Sequence, residues 1–498
     1  MKENKLFYGD NLDVMRKYIG DETIDLCYID PPFNSSRNYN QIYNNVGKDD
    51  TAQAQAFVDT WTWNDIAEDS FRDIHNNPLC PLKVVHLLDG LMAVIGRGSL
   101  LAYLVSITQR VAEIRRVLKP TGSFYLHCDP TASHYLKLVL DCVFCEKSGD
   151  FVNEIVWCYE TGGRSNNFFP RKHDVIFFYT KDAKNFTFND ADIRLARDTS
   201  TMHEPVLTDE EGRQYQRNIK NGKEYRYYLT HGVLPNDYWI DIQALNPAAK
   251  ERLGYPTQKP EALLERIIKA SSNEGNTVLD AYCGCGTTVA VAQRLKRKWI
   301  GIDITYQSIS LILKRLEDTY GREVLDNAEL NGIPRDMESA AALAQKEDDR
   351  TRKEFEKWVV LTYSNNQARI NEQKGSDKGI DGMAFIAGAD AGTQKVLFSV
   401  KSGKVSVSHV RDLRGTVERE GAAGGILITL SPPTKDMIAE AASAGNMENA
   451  AVSRKIHKIK IVTVGELLDG ERMTLPLAYE VLKKAQRERG KNKDLDFE

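Results

Sequence analysis

An α/β chain is predicted here, built on one doubly wound sheet that an insertion interrupts and followed by a second, smaller α/β unit. Three observations predict it. Residues 277–304 run as strand (Thr277 to Tyr282), glycine turn (Gly284 to Gly286), helix (Thr287 to Lys296) and strand (Trp299 to Ile304), half of a doubly wound unit with its turn at a strand's carboxyl end. Far upstream, the apolar run Thr23-Ile24-Asp25-Leu26-Cys27-Tyr28-Ile29 reads as another strand and closes on Asp30-Pro31-Pro32-Phe33. After Tyr320-Gly321 the chain passes through a charged helical connector into a fresh alternation of helix and strand. The length of 498 residues accommodates about three domains at roughly 150 residues each.

The segments between follow from spacing. Leu104, Ile107, Val111, Ile114 and Leu118 lie at helical intervals and predict a core helix from Leu100 to Leu118, ended by Pro120 and Gly122. Ser123 to His127 begins another strand, and His127 at its end is read as structural. The Asp59-Thr60-Trp61-Thr62-Trp63 stretch follows the tetrapeptide in a polar, helix-poor region, either covering a substrate or anchoring a loop by its tryptophans.

The two strand ends carry chemistry. An exocyclic amine on a nucleobase is a poor nucleophile, because its lone pair is delocalised into the ring. A carboxylate at Asp30 and the carbonyl of Pro31 can each accept one N–H, drawing the nitrogen towards tetrahedral geometry and aiming its lone pair at a sulfonium methyl. Pro31 and Pro32 have a fixed φ and no N–H, so the carbonyls there are held rigidly. Phe33 can stack on a base swung out of a duplex. Flipping costs a few kcal/mol and one stack returns about 1–3 kcal/mol, so further contacts must come from elsewhere in the chain. Downstream, Gly284 and Gly286 let the backbone approach a ligand, and Asp303, 19 residues after Gly284, stands where an acid binds ribose hydroxyls. Without the full G-x-G-x-x-G pattern or a phosphate-loop lysine, S-adenosylmethionine fits this turn better than a pyrophosphate cofactor.

Composition narrows the class. A hydrophobic content of 42% suffices for packed cores, and no apolar run approaches the ~20 residues of a membrane span. Met1-Lys2-Glu3-Asn4-Lys5 opens no signal-peptide core, so a cytoplasmic protein is expected. Eight cysteines scattered within the first 285 residues suit reduced thiols, and Cys142 and Cys145 are read as core residues of one helix. A formal charge of −4 excludes a uniformly basic clamp, so a nucleic-acid surface must be local. Two patches qualify: Arg164 to Lys172, with Arg164, Arg171 and Lys172, and Arg213 to Tyr228, where Arg213, Arg217, Lys220, Lys223 and Arg226 alternate with tyrosines. A solvated hairpin around Asn221-Gly222 is the plain alternative for the second.

On these motifs the chain resembles the bacterial amino-DNA methyltransferases of the circularly permuted beta group, over roughly residues 5 to 320, in which the catalytic tetrapeptide precedes the donor-binding strand. Leu6-Phe7-Tyr8-Gly9-Asp10-Asn11 is similar to that family's strand-end acid contacting the donor adenine. Asn153 to Trp157 resembles the segment after the catalytic half. Tyr255-Pro256-Thr257-Gln258-Lys259-Pro260 resembles the start of the helix that helps hold the donor's methionine part. Where the family usually has Pro-Phe-x-Gly-Ser-Gly after Asp280, this chain has Ala281-Tyr282-Cys283-Gly284-Cys285-Gly286; Tyr282 keeps an aromatic. The resemblance implies a Rossmann-like sheet, catalysis by Asp30, Pro31, Pro32 and Phe33, and S-adenosylmethionine on Asp10, Lys259, Asp280, Tyr282, Gly284, Gly286, Thr287 and Asp303. It also places a target-recognition insertion at the basic patches. The implied reaction is methylation of the adenine 6-amino group in double-stranded DNA within a restriction-modification system, since aspartate at the first tetrapeptide position goes mostly with adenine. Cytosine 4-amino methylation stays open, as does a DNA-binding subunit; a protein-amide substrate usually goes with asparagine in place of Asp30.

The last third resembles the restriction-endonuclease-like fold of the Mrr type. Its expected elements are a helix from Lys353 to Val360, Lys378-Gly379-Ile380-Asp381-Gly382, a strand from Lys395 to Lys401, a helix around Val410 to Arg419, and a strand from Gly425 to Leu430. That resemblance makes Asp381 the ligand of a metal, Mg2+, and Lys401 the lysine supporting a water. Ser399 stands where the middle acid would be, and Glu354 or Glu356 on the preceding helix can supply the second carboxylate. Cleavage and binding without cleavage both remain open. The expected boundaries are 1–150 for the catalytic half, 151–250 for the recognition insertion, 251–325 for the donor-binding half and 326–352 for a helical linker. Residues 353–475 form the nuclease-like domain and 476–498 a charged tail. A homodimer or a restriction subunit is the expected protein partner.

Overall fold

The computed structural model describes residues 2–32, 37–41, 54–59, 61, 63–145, 148–160, 165–197, 205–246, 248–253, 255, 257–334, 336–345, 349–365, 368–371, 379–387, 393–447 and 456–475. Phe33, Arg164 and the expected tail lie outside the described residues.

In chain order the strands are β1 (Asn4–Tyr8), β2 (Ile24–Ile29), the antiparallel pair β3 (Arg37–Gln41) and β4 (Ala54–Asp59), then β5 (Leu118–Cys128), β6 (Asp150–Cys158) and β7 (His173–Thr180). A three-stranded antiparallel sheet follows from β8 (Val206–Thr208), β9 (Gln214–Lys220) and β10 (Lys223–Tyr228). Next come β11 (Tyr238–Trp239), β12 (Thr277–Asp280), β13 (Lys298–Asp303) and β14 (Ala328–Asn331). Nine of these strands make one sheet in the order β11-β6-β7-β5-β2-β12-β13-β1-β14. It is parallel from β5 to β14, with the antiparallel β7 beside β5.

The apolar runs are continuous because both faces of this sheet are covered, as parallel sheets require. Leu26, Tyr28 and Val278 point into one core, while Cys27, Ile29 and Leu279 point into the other. Three helices, Asp65–Asn76, Leu82–Ile95 and Ser99–Val117, lie between β4 and β5. The first begins two residues after the stretch from Asp59 to Trp63. Trp61 packs edge-on against Tyr103, ring centroids 5.5 Å apart, and the Trp63 indole donates to Glu68 at 2.9 Å, so both tryptophans anchor to these helices. The predicted core helix ends at Val117, and β5 begins at once. Pro120 and Gly122 therefore sit inside β5, where its register against β2 shifts between Ile24 and Leu26.

The expected boundaries change in two places. β6, β7 and β11 belong to the large sheet, so only the segment between β7 and β11 leaves it. The connector after residue 325 is not wholly helical either: β14 pairs with β1 at the sheet edge before the helix Met337–Ala344. Cys142 is half-buried and Cys145 exposed, so neither is fully in the core.

The carboxyl-terminal unit packs the helix Asp349–Tyr363 on a mixed sheet of β15 (Arg369–Ile370), β16 (Gly382–Ala387), β17 (Thr393–Lys401), β18 (Gly424–Thr429) and β19 (Ile459–Thr463), in that order. The helices Val407–Arg419 and Lys435–Ser443 connect its parallel strands. Phe355, Trp358, Tyr363 and Phe398 continue the same core cluster that holds Leu6, Trp299 and Tyr306. The two units therefore share buried apolar surface. No helix among the described residues is long and apolar enough to cross a membrane.

Candidate active site

β2 and β12 are hydrogen-bonded neighbours, with Leu26 opposite Val278 and Cys27 opposite Leu279. The chain leaves β2 towards β5 and leaves β12 towards β13, on opposite sides, so a crevice opens between their carboxyl ends as at the switch point of other doubly wound sheets. Asp30 follows β2 directly and Asp280 ends β12. Asp303 ends β13, and Asp10 lies two residues past β1, on the same rim. The two stretches that sequence reading joined across the chain are thus adjacent.

One oxygen of Asp30, Oδ2, is ion-paired with Lys259 Nζ at 2.8 Å. The other, Oδ1, is buried and accepts no hydrogen bond from a described residue. Lys259 is 8% exposed and its charge also reaches Asp174, so the ammonium stands by two carboxylates. Burial works to raise the Asp174 pKa, but the bond and charge of His127 and the charge of Lys259 hold it low. Behind Asp30, Tyr28 Oη lies 2.9 Å from His127 Nδ1, and His127 Nε2 lies 3.0 Å from Asp174 Oδ2. These groups occupy the buried floor of the site, which accords with a structural His127. Sequence reading placed Lys259 on the donor, whereas its amine meets Asp30.

On the donor side, Gly284 and Gly286 adopt φ of 48° and 75°, the left-handed region that glycine enters without strain. The Gly284 N–H donates to Asp303 Oδ2 at 2.9 Å, and Oδ1 of Asp303 accepts from Thr305 N at 2.9 Å. Asp280 Oδ1 accepts from Tyr282 N at 3.0 Å. Burial raises both carboxyls, Asp280 to about 7 and Asp303 to about 6; the neighbouring charges of Asp30 and Asp303 add to the effect at Asp280. Among the described residues neither forms an ion pair. Thr287 opens the helix after the turn and its hydroxyl lies 3.4 Å from the Lys259 carbonyl, tying the two motifs together. Asp10 caps the helix Asn11–Tyr18 through Leu12 N and pairs with Arg110 at 2.8 Å. The Tyr282 side chain lies against Asn11 and Arg110. Arg110 escaped sequence reading because it sits on the polar stripe of a long helix, with no local motif.

A family model described as DNA methylase, N6_N4_Mtase, matches residues 24–314, more than half of the chain. The chain belongs to this DNA methylase family. Among curated relatives of the methylase, the DNA adenine methyltransferase YhdJ of Escherichia coli (strain K12) is 30% identical over 313 residues, covering 63% of this chain and 82% of that protein. The Type II methyltransferase M.HpaI of Haemophilus parainfluenzae is 31% identical over 274 residues, covering 52% and 77%. The M1.HpyAVI-SAM complex aligns at 15% identity with a TM-score of 0.33, covering 63% of this chain and 98% of that one. A second family model, NACHT-associated inactive Restriction Endonuclease 1, matches residues 352–469. The methylase thus carries a restriction-endonuclease-like domain at its carboxyl end.

Of the basic residues expected on DNA, Arg171 is exposed, while Lys172 donates to the Glu160 carbonyl at 2.8 Å. Arg213 pairs with Asp209 and Glu211 and lies over the Tyr228 ring. Arg217, Lys220 and Lys223 are exposed and have no carboxylate partner among the described residues. The β9–β10 turn carries Asn221 and Gly222 at φ of 51° and 75°, the hairpin expected from that pair.

In the carboxyl-terminal domain, Asp381 precedes β16 and its Oδ2 accepts from Val400 N at 2.7 Å. Burial and the charge of Glu356 push its carboxyl up to about 6. Ser399 is buried beside it, and Lys401 ends β17. Glu354 is not the second carboxylate. Two residues apart on one helix, Glu354 and Glu356 face opposite ways: Glu356 turns to Asp381 and pairs with Lys353 at 3.1 Å, whereas Glu354 bonds to the methylase sheet side through Tyr306 N. Among the described residues no three His, Cys, Asp or Glu side chains are grouped to hold a metal.

Proposed function

We propose that this chain transfers a methyl group from S-adenosylmethionine to the 6-amino group of adenine in duplex DNA, within a restriction-modification system. The observation that carries the reading is Asp30, at the end of the strand beside β12, anchored through one oxygen by Lys259 while the other is buried with no hydrogen bond from a described residue. The residues present fit the donor. Two buried carboxyls with raised pKa and, among the described residues, no ion-pair partner suit a ligand that brings a positive charge and hydroxyl donors. Gly284 and Gly286 would hold its backbone-facing side, and Asp303 its ribose.

When bound, S-adenosylmethionine supplies an electrophilic methyl on a cationic sulfur. Asp30 Oδ1 accepts one amine hydrogen of the flipped base, and the rigid Pro31 carbonyl accepts the other, which localises the nitrogen lone pair. The Lys259 pair holds the Asp30 carboxylate in orientation. The adenine assignment is supported by aspartate at the first position of the tetrapeptide and by the similarity to an enzyme described as an adenine methyltransferase. Digesting methylated duplex DNA to nucleosides tests it: N6-methyladenine is expected, and N4-methylcytosine would replace that base assignment while keeping the reaction class.

The β8–β10 sheet is the DNA-contacting surface in this reading. Lys220 and Lys223 face each other across the ladder, as do Arg217 and Arg226, the latter paired with Glu224 at 2.9 Å. Like charges directly opposite repel, and a phosphate between them relieves that repulsion. Arg217→Ala is expected to weaken duplex binding several-fold, with the slope of log K against log salt falling by about 1. An unchanged slope in that titration removes Arg217 from the interface.

The carboxyl-terminal domain is read as binding DNA without cutting it, because Ser399 replaces an acid and Glu356 is already paired with Lys353. Incubation of the full chain with Mg2+ and methylated or unmethylated plasmid is expected to leave supercoiled DNA intact. Nicking that disappears in Lys401→Ala would make this domain an active nuclease.

A further inference from the structure

We propose that Glu354, in the nuclease-like domain, is a positioning residue for the methyl donor, so that this domain completes the donor site. The inference rests on the donor-site reading above. The helix Tyr306–Tyr320 begins three residues after Asp303. Thr305 caps it, its hydroxyl accepting from Ser308 N at 3.3 Å, and the Tyr306 N–H is one of the donors that no helical carbonyl can satisfy. Glu354 Oε2 accepts that N–H at 2.8 Å across the junction between the units, in a buried setting. Its other oxygen is held by Lys357 Nζ at 3.1 Å, so the carboxylate is fixed from both ends.

Two further contacts pin the same turn. Tyr306 Oη lies 3.0 Å from Thr362 Oγ1, and the Tyr306 ring meets Tyr8 edge-on, centroids 6.1 Å apart. Tyr8 is in turn the strand partner of Asp303. The segment from 303 to 306 is therefore clamped at one end by Gly284 N on Asp303 and at the other by Glu354 on Tyr306. A carboxylate at a helix N-terminus is favoured by the helix dipole and makes a charge-assisted bond. Loss of Glu354 would let the turn, and Asp303 with it, relax; displacement on the order of 1 Å is enough to spoil a preorganised site. The same helix carries Glu356 towards Asp381 from its opposite face, so the nuclease-like cluster and the donor turn are served by one rigid element.

The test is calorimetry of S-adenosylmethionine on the full chain, with steady-state methylation alongside. For Glu354→Ala a rise in donor Kd of about tenfold is expected, the equivalent of one charge-assisted bond. KM for DNA and kcat at saturating donor should stay within about twofold, because only binding of the donor is touched. Glu354→Gln, whose amide oxygen still accepts the Tyr306 N–H, should recover most of the affinity. Unchanged donor Kd in folded Glu354→Ala overturns the proposal, as does a parallel loss of donor and DNA affinity. Should Glu354→Ala fail to fold, Thr362→Val, which removes the other polar contact from this domain to Tyr306, decides: donor affinity equal to the parent overturns the proposal, and a selective loss of donor affinity upholds it. Asp303→Ala separates the layers, since normal donor affinity there would sink the donor-site reading itself. Weak binding in Asp303→Ala with normal binding in Glu354→Ala would sink this inference alone.

Discussion

Asp30→Ala is expected to lower kcat for methylation by at least about a thousandfold, the scale seen when a preorganised polar group at a reacting centre is removed. Donor affinity should stay within about threefold, because Asp30 acts on the amine and the donor turn stands on β12 and β13. The loss is in chemistry: without Oδ1, the amine lone pair remains delocalised into the ring's π system and is a poor nucleophile. Asp30→Asn keeps an acceptor but removes the charge, so an intermediate rate is expected. One structural consequence accompanies both changes, since they deprive the largely buried Lys259 ammonium of its 2.8 Å partner. The double variant Asp30→Ala with Lys259→Met removes that strain and should regain melting temperature without regaining activity. Full methylation by Asp30→Ala would end the catalytic assignment, and a double variant that recovers activity along with stability would show that Asp30 matters only to folding.

Much of this site is legible in the sequence because a sheet buried on both faces writes itself as unbroken apolar runs. The ends of β2 and β12 are then punctuated by prolines and glycines that a strand cannot continue through. What could not be read is pairing between distant side chains. Nothing local tells that Lys259 turns to Asp30, since its neighbours Gln258 and Pro260 fit a helix start equally well for either role. The choice between Glu354 and Glu356 fails for a similar reason: their spacing assigns them to opposite faces but does not say which face meets β16 and β17. The helices Asp65–Asn76 and Leu82–Ile95 were masked by their setting. Asn64 caps the first through Ala67 N, but its signal is lost among the polar residues around the tryptophans. The stretch from Asp336 to Arg352 carries the helix Met337–Ala344 and the start of Asp349–Tyr363, whereas β14 before it is a four-residue edge strand, too short for its alternation to stand out.

Asp303→Ala is expected to weaken S-adenosylmethionine by roughly a hundredfold, through loss of a charge-assisted contact and of the Gly284 anchor together. The pH dependence sharpens the assignment. Burial holds the Asp303 carboxyl at about 6 and the Asp280 carboxyl at about 7, well above the ~3.9 of an unfolded aspartate. A folded pKa above the unfolded one means that the contribution to stability is fully present below about pH 4 and is lost as pH rises through 6 and then 7. The ligand responds in the opposite sense. A cationic donor prefers both carboxyls ionised, so its affinity should rise between pH 5.5 and 7.5 by about tenfold and then level off. Its increment to the melting temperature should grow over the same interval, because binding then restores what ionisation removes. Asp280→Asn and Asp303→Asn should each flatten part of the curve, the former at its upper end and the latter at its lower. Calorimetric titrations across that range check the sign directly: affinity that falls with rising pH, or a curve unaltered by either substitution, would mean that these two carboxyls do not line the donor site.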